Sequence, residues 1–319
     1  MKTSAVTPSD LGGVFAVPPL ARRAGPSGGL DLEQNDRVAR HILAGGMTRL
    51  LYGGNAFLYH VTLPDFEDLI AWMAQVGSDA WMIPSIGPSY GRALDQARML
   101  RRHPFPAAML LPCSDPRDAS GLERGAREIA ETLGRPLVLY LKEESSFGAR
   151  EADGLDAIAR LVDEGICVAI KYAVVRSDPA VDAYLEALLA RVDRRYVVSG
   201  IGERPAVVHM QRWGLPGFTT GSGCVAPRLS AQLFEACACG DTEAALAIRE
   251  RFLPLEDLRD LHGPARVLHA AVVAAGIARL GPIPPFVSDA EPQLVARLAP
   301  VAQALLEANA LDERRTAQT

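Results

Sequence analysis

The sequence predicts a parallel (β/α)₈ barrel followed by a C-terminal helical extension. Three observations carry this reading. Short runs that are apolar on both faces alternate with amphipathic stretches, the pattern of a parallel sheet covered by helices. Eight such units occupy about 240 residues, which suits a closed barrel better than an open doubly wound sheet. The first strand is not followed by a G-x-G-x-x-G phosphate loop, which argues against a dinucleotide-binding fold.

The strand-like runs, in order, are "GGVFAVPPL", "TRLLYGG", "DAWMIPSIG", "AAMLLPC", "PLVLYLK", "ICVAIKYA", "RYVVSG" and "GFTTGSG", mostly bounded by Gly or Pro. Between them lie helical stretches such as "DLEQNDRVARHILAGG", "LPDFEDLIAWMAQVG" and "DGLDAIARLVDEG", each ending at a glycine, as helix C-termini prefer. Three more helical stretches follow the eighth unit: "TEAALAIRERFLPLEDLRDL", "PARVLHAAVVAAGIARL" and "PQLVARLAPVAQALLEANAL". The expected organisation is a barrel over 11–240 carrying the active site and a three-helix extension over 241–311. Residues 1–10 and 312–319 are expected to be frayed ends.

Of the 319 residues 49% are hydrophobic and the net charge is −5, the balance of a soluble globular protein with an ample core. With no basic block, nucleic acid is not expected as a partner. The start "MKTSAVTPSDLGG" lacks a signal peptide's apolar run. The most apolar stretch, "VLHAAVVAAGIARLG", is broken by His269 and Arg279 and is too short to span a membrane. Five cysteines without paired spacing suggest reduced thiols and a cytoplasmic protein. Lys2, Lys142 and Lys171 are the only lysines, and all other basic residues except histidine are arginine. Two of the three end apolar strands. Arginine cannot replace an amine that must lose its proton.

One of those strands ends in V-A-I-K at 168–171, the string that marks a protein kinase's ATP-contacting lysine. The kinase's Gly-rich loop, H-R-D and D-F-G are absent, so that reading fails. In a barrel the chemistry sits at the C-terminal ends of the strands. Lys171 falls near the end of the sixth strand and Tyr140 near the end of the fifth, so they should be neighbours in the mouth. A desolvated lysine amine there attacks a ketone to form a Schiff base, and a tyrosine shuttles protons. The bland alternative is a lysine that snorkels to solvent beside a packed tyrosine.

The chain as a whole resembles the dihydrodipicolinate synthase / N-acetylneuraminate lyase family of Schiff-base barrels. "AIKYA" looks like the family's G-I-K-x-[AS] strand and "LVLYLK" like its Y-N-x-P strand. The stretch from "RYVVSGIGERP" through "TTGSGCVAPRLS" to "RERFLPL" is similar to the family's S-G-D turn, last strand and first C-terminal helices. The resemblance covers roughly residues 11–305. It implies a class I lyase acting on pyruvate or a longer 2-oxo acid by aldol cleavage or condensation. Lys171 would be the Schiff-base residue and Tyr140 the proton relay, with no cofactor beyond the imine. It also implies a homo-oligomer, dimer or tetramer. Within the same chemistry the alternative is a dehydratase of a sugar-acid-derived 2-oxo acid; outside it, a non-catalytic small-molecule binder.

The chain departs from the family at the second strand, where G-T-T-G-E or G-G-T-G-E is replaced by Gly53-Gly54-Asn55-Ala56-Phe57. The glycines still permit an amide-lined nest for the substrate carboxylate, formed by Gly53, Gly54 and Asn55. The family's relay hydroxyl has no counterpart there; His60 is a candidate replacement, against a surface or capping role. The fourth strand ends "LPCSDP" in place of P-Y-Y-N-x-P, so Cys113 or Ser114 replaces a tyrosine that reaches a neighbouring subunit. "LKEESSFG" lacks the synthases' arginine, so dihydrodipicolinate synthesis itself is not expected. Lys142, two residues past Tyr140, either supplies that missing cation or pairs with Glu143 or Glu144 in solvent. By resemblance the Gly200 carbonyl faces the substrate, and the eighth strand, with Thr219, lines the mouth. No metal-ligand cluster stands out.

Overall fold

The computed structural model describes residues 1–25, 28–77, 80–114 and 116–316, the last six as backbone only. Eight parallel strands form a closed barrel in sequence order: β1 Gly13–Ala16, β2 Arg49–Tyr52, β3 Trp81–Ile86, β4 Ala108–Leu110, β5 Leu137–Leu141, β6 Cys167–Tyr172, β7 Val197–Ser199 and β8 Gly217–Thr220. β1 closes on β8 with Phe15 opposite Thr219. All eight lie inside the runs picked out by composition.

Helices follow each strand: α1 Leu32–Ala44, α2 Leu63–Met73, α3 Tyr90–Leu100, α4 Ala119–Leu133, α5 Glu151–Asp163, α6 Ala183–Leu189, α7 Glu203–Gln211 and α8 Pro227–Cys239. The starts of α1, α2 and α4 are set by short polar side chains that accept the first free amides. Asp31 takes Gln34 N–H, Thr62 takes Asp65 N–H and Asp118 takes Gly121 N–H. Each such cap is worth about 1 kcal/mol. The ends are less uniform than the sequence implies. α1 stops at Gly45, but α2 and α5 stop at Ala74 and Glu164, with the expected glycine one to three residues further on.

The extension is α9 Thr242–His262, α10 Pro264–Ala274 and α11 Pro292–Thr316. α9 packs on α7 and α8, and α10 packs on the short 3₁₀ turn Gly54–Ala56 after β2. The extension therefore reaches the barrel mouth. No helix among the described residues is long and apolar enough to cross a membrane.

The first ten residues are tied down rather than frayed. Lys2 N–H donates to Ala80 O at 2.8 Å, and the Lys2 amine pairs with Asp10 at 2.9 Å. Leu11, fully buried, closes the N-terminal end of the barrel, which offers the segment an apolar anchor. At the other end, helix α11 carries the backbone on to Thr316, and 317–319 lie outside the described residues.

Candidate active site

Strand alternation decides what faces the barrel axis. On β6 Lys171 turns inward, while Tyr172 turns outward and donates to Asp182 Oδ2 at 2.6 Å. β5 and β6 pair with Tyr140 directly opposite Lys171. The Lys171 Nζ stands 4.0 Å from the centroid of the Tyr140 ring. Lys171 is 6% exposed, held in a cavity of about 350 Å³ at the C-terminal ends of the strands. That volume lies in the range of small-ligand sites.

Beside this pair is the end of β7, and further round the mouth are the ends of β8, β1 and β2. Gly54 and Asn55 open the 3₁₀ turn, and the first N–H groups of such a turn have no acceptor within it. Both residues line the cavity, as do Gly200 and Thr219. Thr219 is buried on the inner face of β8. Gly200 is required by close approach: a Cβ there would stand 2.5 Å from Tyr172 O and 2.8 Å from Ala173 Cβ. Gly53 sits below the turn against Met109 and Ser85, outside the cavity lining. Phe57, which ends the turn, has φ +52°, a left-handed conformation uncommon for a bulky residue.

The cavity is rich in cations. Arg176, Arg204, Arg249 and Arg259 line it with Lys171, against the carboxylates of Glu256 and Asp260. Arg176 is held by Asp182 at 2.9 Å and by Glu144. Arg259 donates from Nη1 to Glu256 Oε1 at 2.6 Å and to Ser222 Oγ at 3.1 Å; Ser222 in turn donates to Glu256. Behind β8, Glu203 Oε1 accepts from Thr220 and, at 2.6 Å, from Ser230. Burial, and then the nearby Glu256 charge, raise the Glu203 carboxyl to about 7. Its Oε2 is buried without a partner. His209, also in the cavity lining, bonds Ser199 Oγ through Nδ1 at 2.8 Å, and burial lowers its imidazole to about 4.

Two residues singled out in the sequence stand apart. Lys142 lies one position past the end of β5, where the chain leaves the strand for a 3₁₀ turn at Glu144–Phe147. Alternation stops there, so Lys142 is exposed and lines a shallow depression with Glu143 and Glu144, not the cavity. The ring of His60 lies 5.5 Å from that of Phe286, tilted by 55°; Phe286 is 96% exposed, and His60 is not in the cavity lining. Its neighbour Tyr59 is closer to the site. Tyr59 Cε2 comes 3.8 Å from where a Cβ on Gly54 would be. Burial and then the charge of Tyr140 push the Tyr59 phenol above its ordinary value. The cavity arginines and Glu256 have no sequence signature either, because in a helical stretch they read as solvated charges. Among the described residues no three His, Cys, Asp or Glu side chains stand together as a metal site.

No curated protein sequence matches the chain. Solved structures of similar fold include dihydrodipicolinate synthase from Oceanobacillus iheyensis, 22% identical, with TM-score 0.79 over 93% of this chain and 97% of that one. A second is 4-hydroxy-tetrahydrodipicolinate synthase from Methylacidiphilum fumariolicum SolV, 17% identical, with TM-score 0.80 over 95% and 98%. A third is PhdJ bound to a substrate intermediate, 18% identical, with TM-score 0.79 over 97% and 98%. At such identities the likeness is one of fold. The sequence model of the Dihydrodipicolinate synthetase family matches residues 25–300, and the chain belongs to that family.

Proposed function

We propose that the chain is a class I lyase that forms an imine between Lys171 and a 2-oxo acid, then breaks or makes the carbon–carbon bond beside it. The observation that carries the reading is Lys171 itself: an amine 6% exposed, 4.0 Å from a tyrosine ring, in a cavity at the C-terminal end of a barrel. Family membership supports it.

The amine lone pair attacks the carbonyl carbon, and the carbinolamine loses water as the Tyr140 phenol supplies the departing oxygen's proton. The iminium then withdraws electrons. When the bond between the third and fourth carbons breaks, its electron pair becomes the enamine. The fourth carbon's hydroxyl gives its proton to the Tyr140 phenolate and becomes an aldehyde. Protonation of the enamine and hydrolysis of the imine return Lys171. Gly54 and Asn55 would hold the substrate carboxylate through their amides, with the Gly200 carbonyl facing the bound carbon chain. No cofactor enters this scheme.

A dehydratase uses the same imine but expels a hydroxyl in place of an aldehyde. The glycine pair at 53–54, similar to the G-G start of the family's dehydratases, favours it. By the same resemblance we take the protein to act as a homo-oligomer, which sedimentation of the purified chain tests.

Borohydride reduction in the presence of pyruvate and other 2-oxo acids tests the imine. The expected result is a reduced adduct on the Lys171 peptide, absent in Lys171→Ala. Failure to trap any 2-oxo acid would overturn the lyase reading in favour of a binding protein. With an adduct in hand, an aldehyde product marks the aldolase, and a product lighter than its substrate by one water marks the dehydratase.

A further inference from the structure

Arg259 comes from α9, in the extension, yet it lines the same cavity as Lys171. Its side chain is 10% exposed, and its three nitrogens are unequally engaged. Nε donates to Pro264 O at 3.3 Å, while Nη1 serves both Glu256 and Ser222. Nη2 takes no acceptor among the described residues. Nη2 opens onto the cavity, a donor without a protein acceptor that an incoming ligand oxygen would take up.

What lies next to Nη2 identifies the acceptor. A Cβ on Gly221 would stand 2.4 Å from Nη2 and 2.9 Å from Asn55 Nδ2, so two N–H donors close on one corner of the cavity. The Asn55 amide is fixed there by Nδ2 donating to Val17 O at 2.8 Å. Gly221 lets both donors pack this closely: a side chain there would displace them, and since its φ of −95° would admit alanine without strain, only space is at issue. Paired N–H donors on a guanidinium and an amide suit the two oxygens of a carboxylate. The corner adjoins the opening amides of the Gly54–Ala56 turn.

We propose that Arg259 binds the carboxylate of the 2-oxo acid at this corner, with the Asn55 side chain as second donor. Glu256 and Ser222 then serve to aim the guanidinium, and the extension completes a site that the barrel alone leaves open. This inference rests on the imine reading only for the identity of the ligand as a 2-oxo acid.

The test is the pyruvate concentration that half-saturates borohydride trapping on Lys171. Three variants are compared: Gly221→Ala, Arg259→Lys and the double Glu256→Gln/Arg259→Gln. The double exchanges both buried charges for amides and guards against misfolding, which circular dichroism checks. The expected result is a rise of about tenfold or more in the folded double variant and in Gly221→Ala, with trapping at saturation retained; Arg259→Lys should fall between. Hydroxyacetone, a ketone without a carboxylate, should be trapped equally weakly by all four proteins. A change in pyruvate half-saturation below twofold in the folded double variant would overturn the proposal. Should the wild type trap no 2-oxo acid, lactate binding by saturation-transfer NMR takes over, since lactate has the carboxylate and no ketone. Lactate bound by the wild type and lost in the double variant upholds Arg259 while the imine reading falls. Lactate unbound, or bound equally by both, overturns Arg259 as well.

Discussion

Glu123 and Glu203 are the same side chain in opposite circumstances. Glu123, on α4, accepts from Arg160 at 2.7 and 2.9 Å and from Arg127 at 2.7 Å; Arg127 also makes two 2.8 Å bonds to Glu164. There are two carboxylates for two guanidiniums, close to solvent. The bonds to Arg160 above all hold Glu123 down, to about 2. Glu203 and Glu256 share one guanidinium, Arg259; Glu203 is fully buried, and it moves the other way. The first cluster joins two barrel helices and asks for nothing more. The second is short of positive charge behind β8, yet keeps an idle donor on its cavity side. Mismatched buried charge is where a binding function is to be sought.

Breaking the inner cluster should have the largest effect. Glu256→Gln leaves the Arg259 guanidinium buried without its carboxylate, a loss of about 3 kcal/mol by urea denaturation, at the low end for a broken buried pair because the amide still accepts a hydrogen bond. The double Glu256→Gln/Arg259→Gln should recover most of that loss, since replacing both members of a buried pair is far less harmful than removing one. A double as unstable as the sum of its singles would mean that the two side chains do not act as a pair.

Next in size is a pH effect with a definite sign. Glu203 is raised from an ordinary 4.5 to about 7, so the folded state holds its proton where the unfolded state has lost it. Its contribution is complete below about 4.5 and is lost as pH rises through about 7. In Glu203→Gln that decline should vanish. At pH 8 the variant should match or exceed the wild type by about 2 kcal/mol, whereas near pH 4 the two should agree. Thr220 and Ser230 can still donate to the amide oxygen, so the difference isolates the charge. Equal pH slopes in both proteins would place the Glu203 proton elsewhere.

The unequal legibility of the sequence has the same physical basis. Strands buried on both faces must be apolar throughout, so all eight could be read from composition. Lys171 and Tyr140 were found because a polar residue at the end of such a strand is conspicuous, and parallel pairing of consecutive strands sets them side by side. Residues that reach the cavity from helices leave no such mark. Glu256 and Arg259, three apart on α9, look like any surface ion pair, and Glu203 looks like an ordinary acidic first-turn residue. Only the packing of α9 on the barrel shows them to be buried. Lys142 is the converse case. Its spacing from Tyr140 was right for a continuing strand, but β5 ends at Leu141. The N-terminal ten residues show no periodicity, and their anchoring depends on partners such as Ala80 and Asp10 that local composition does not reveal.

The smallest effect belongs to the outer cluster and completes the contrast. Glu123→Gln should destabilise the protein by about 1 kcal/mol at neutral pH, reduced from what the depressed carboxyl would suggest because water screens the pair. The sign with pH is opposite to that of Glu203. Held near 2, Glu123 contributes fully above about 4.5, and the contribution is lost as pH falls toward 2. The wild type and Glu123→Gln should therefore differ in melting temperature at pH 7 and converge as acid is added. Added salt should also shrink this gap, because the arginines around Glu123 are open to solvent, where charges are screened over a Debye length of about 10 Å at 0.1 M. The Glu203 difference at pH 8 should be insensitive to the same salt. If salt reduces both alike, Glu203 is hydrated, and the buried mismatch that distinguishes the two clusters is gone.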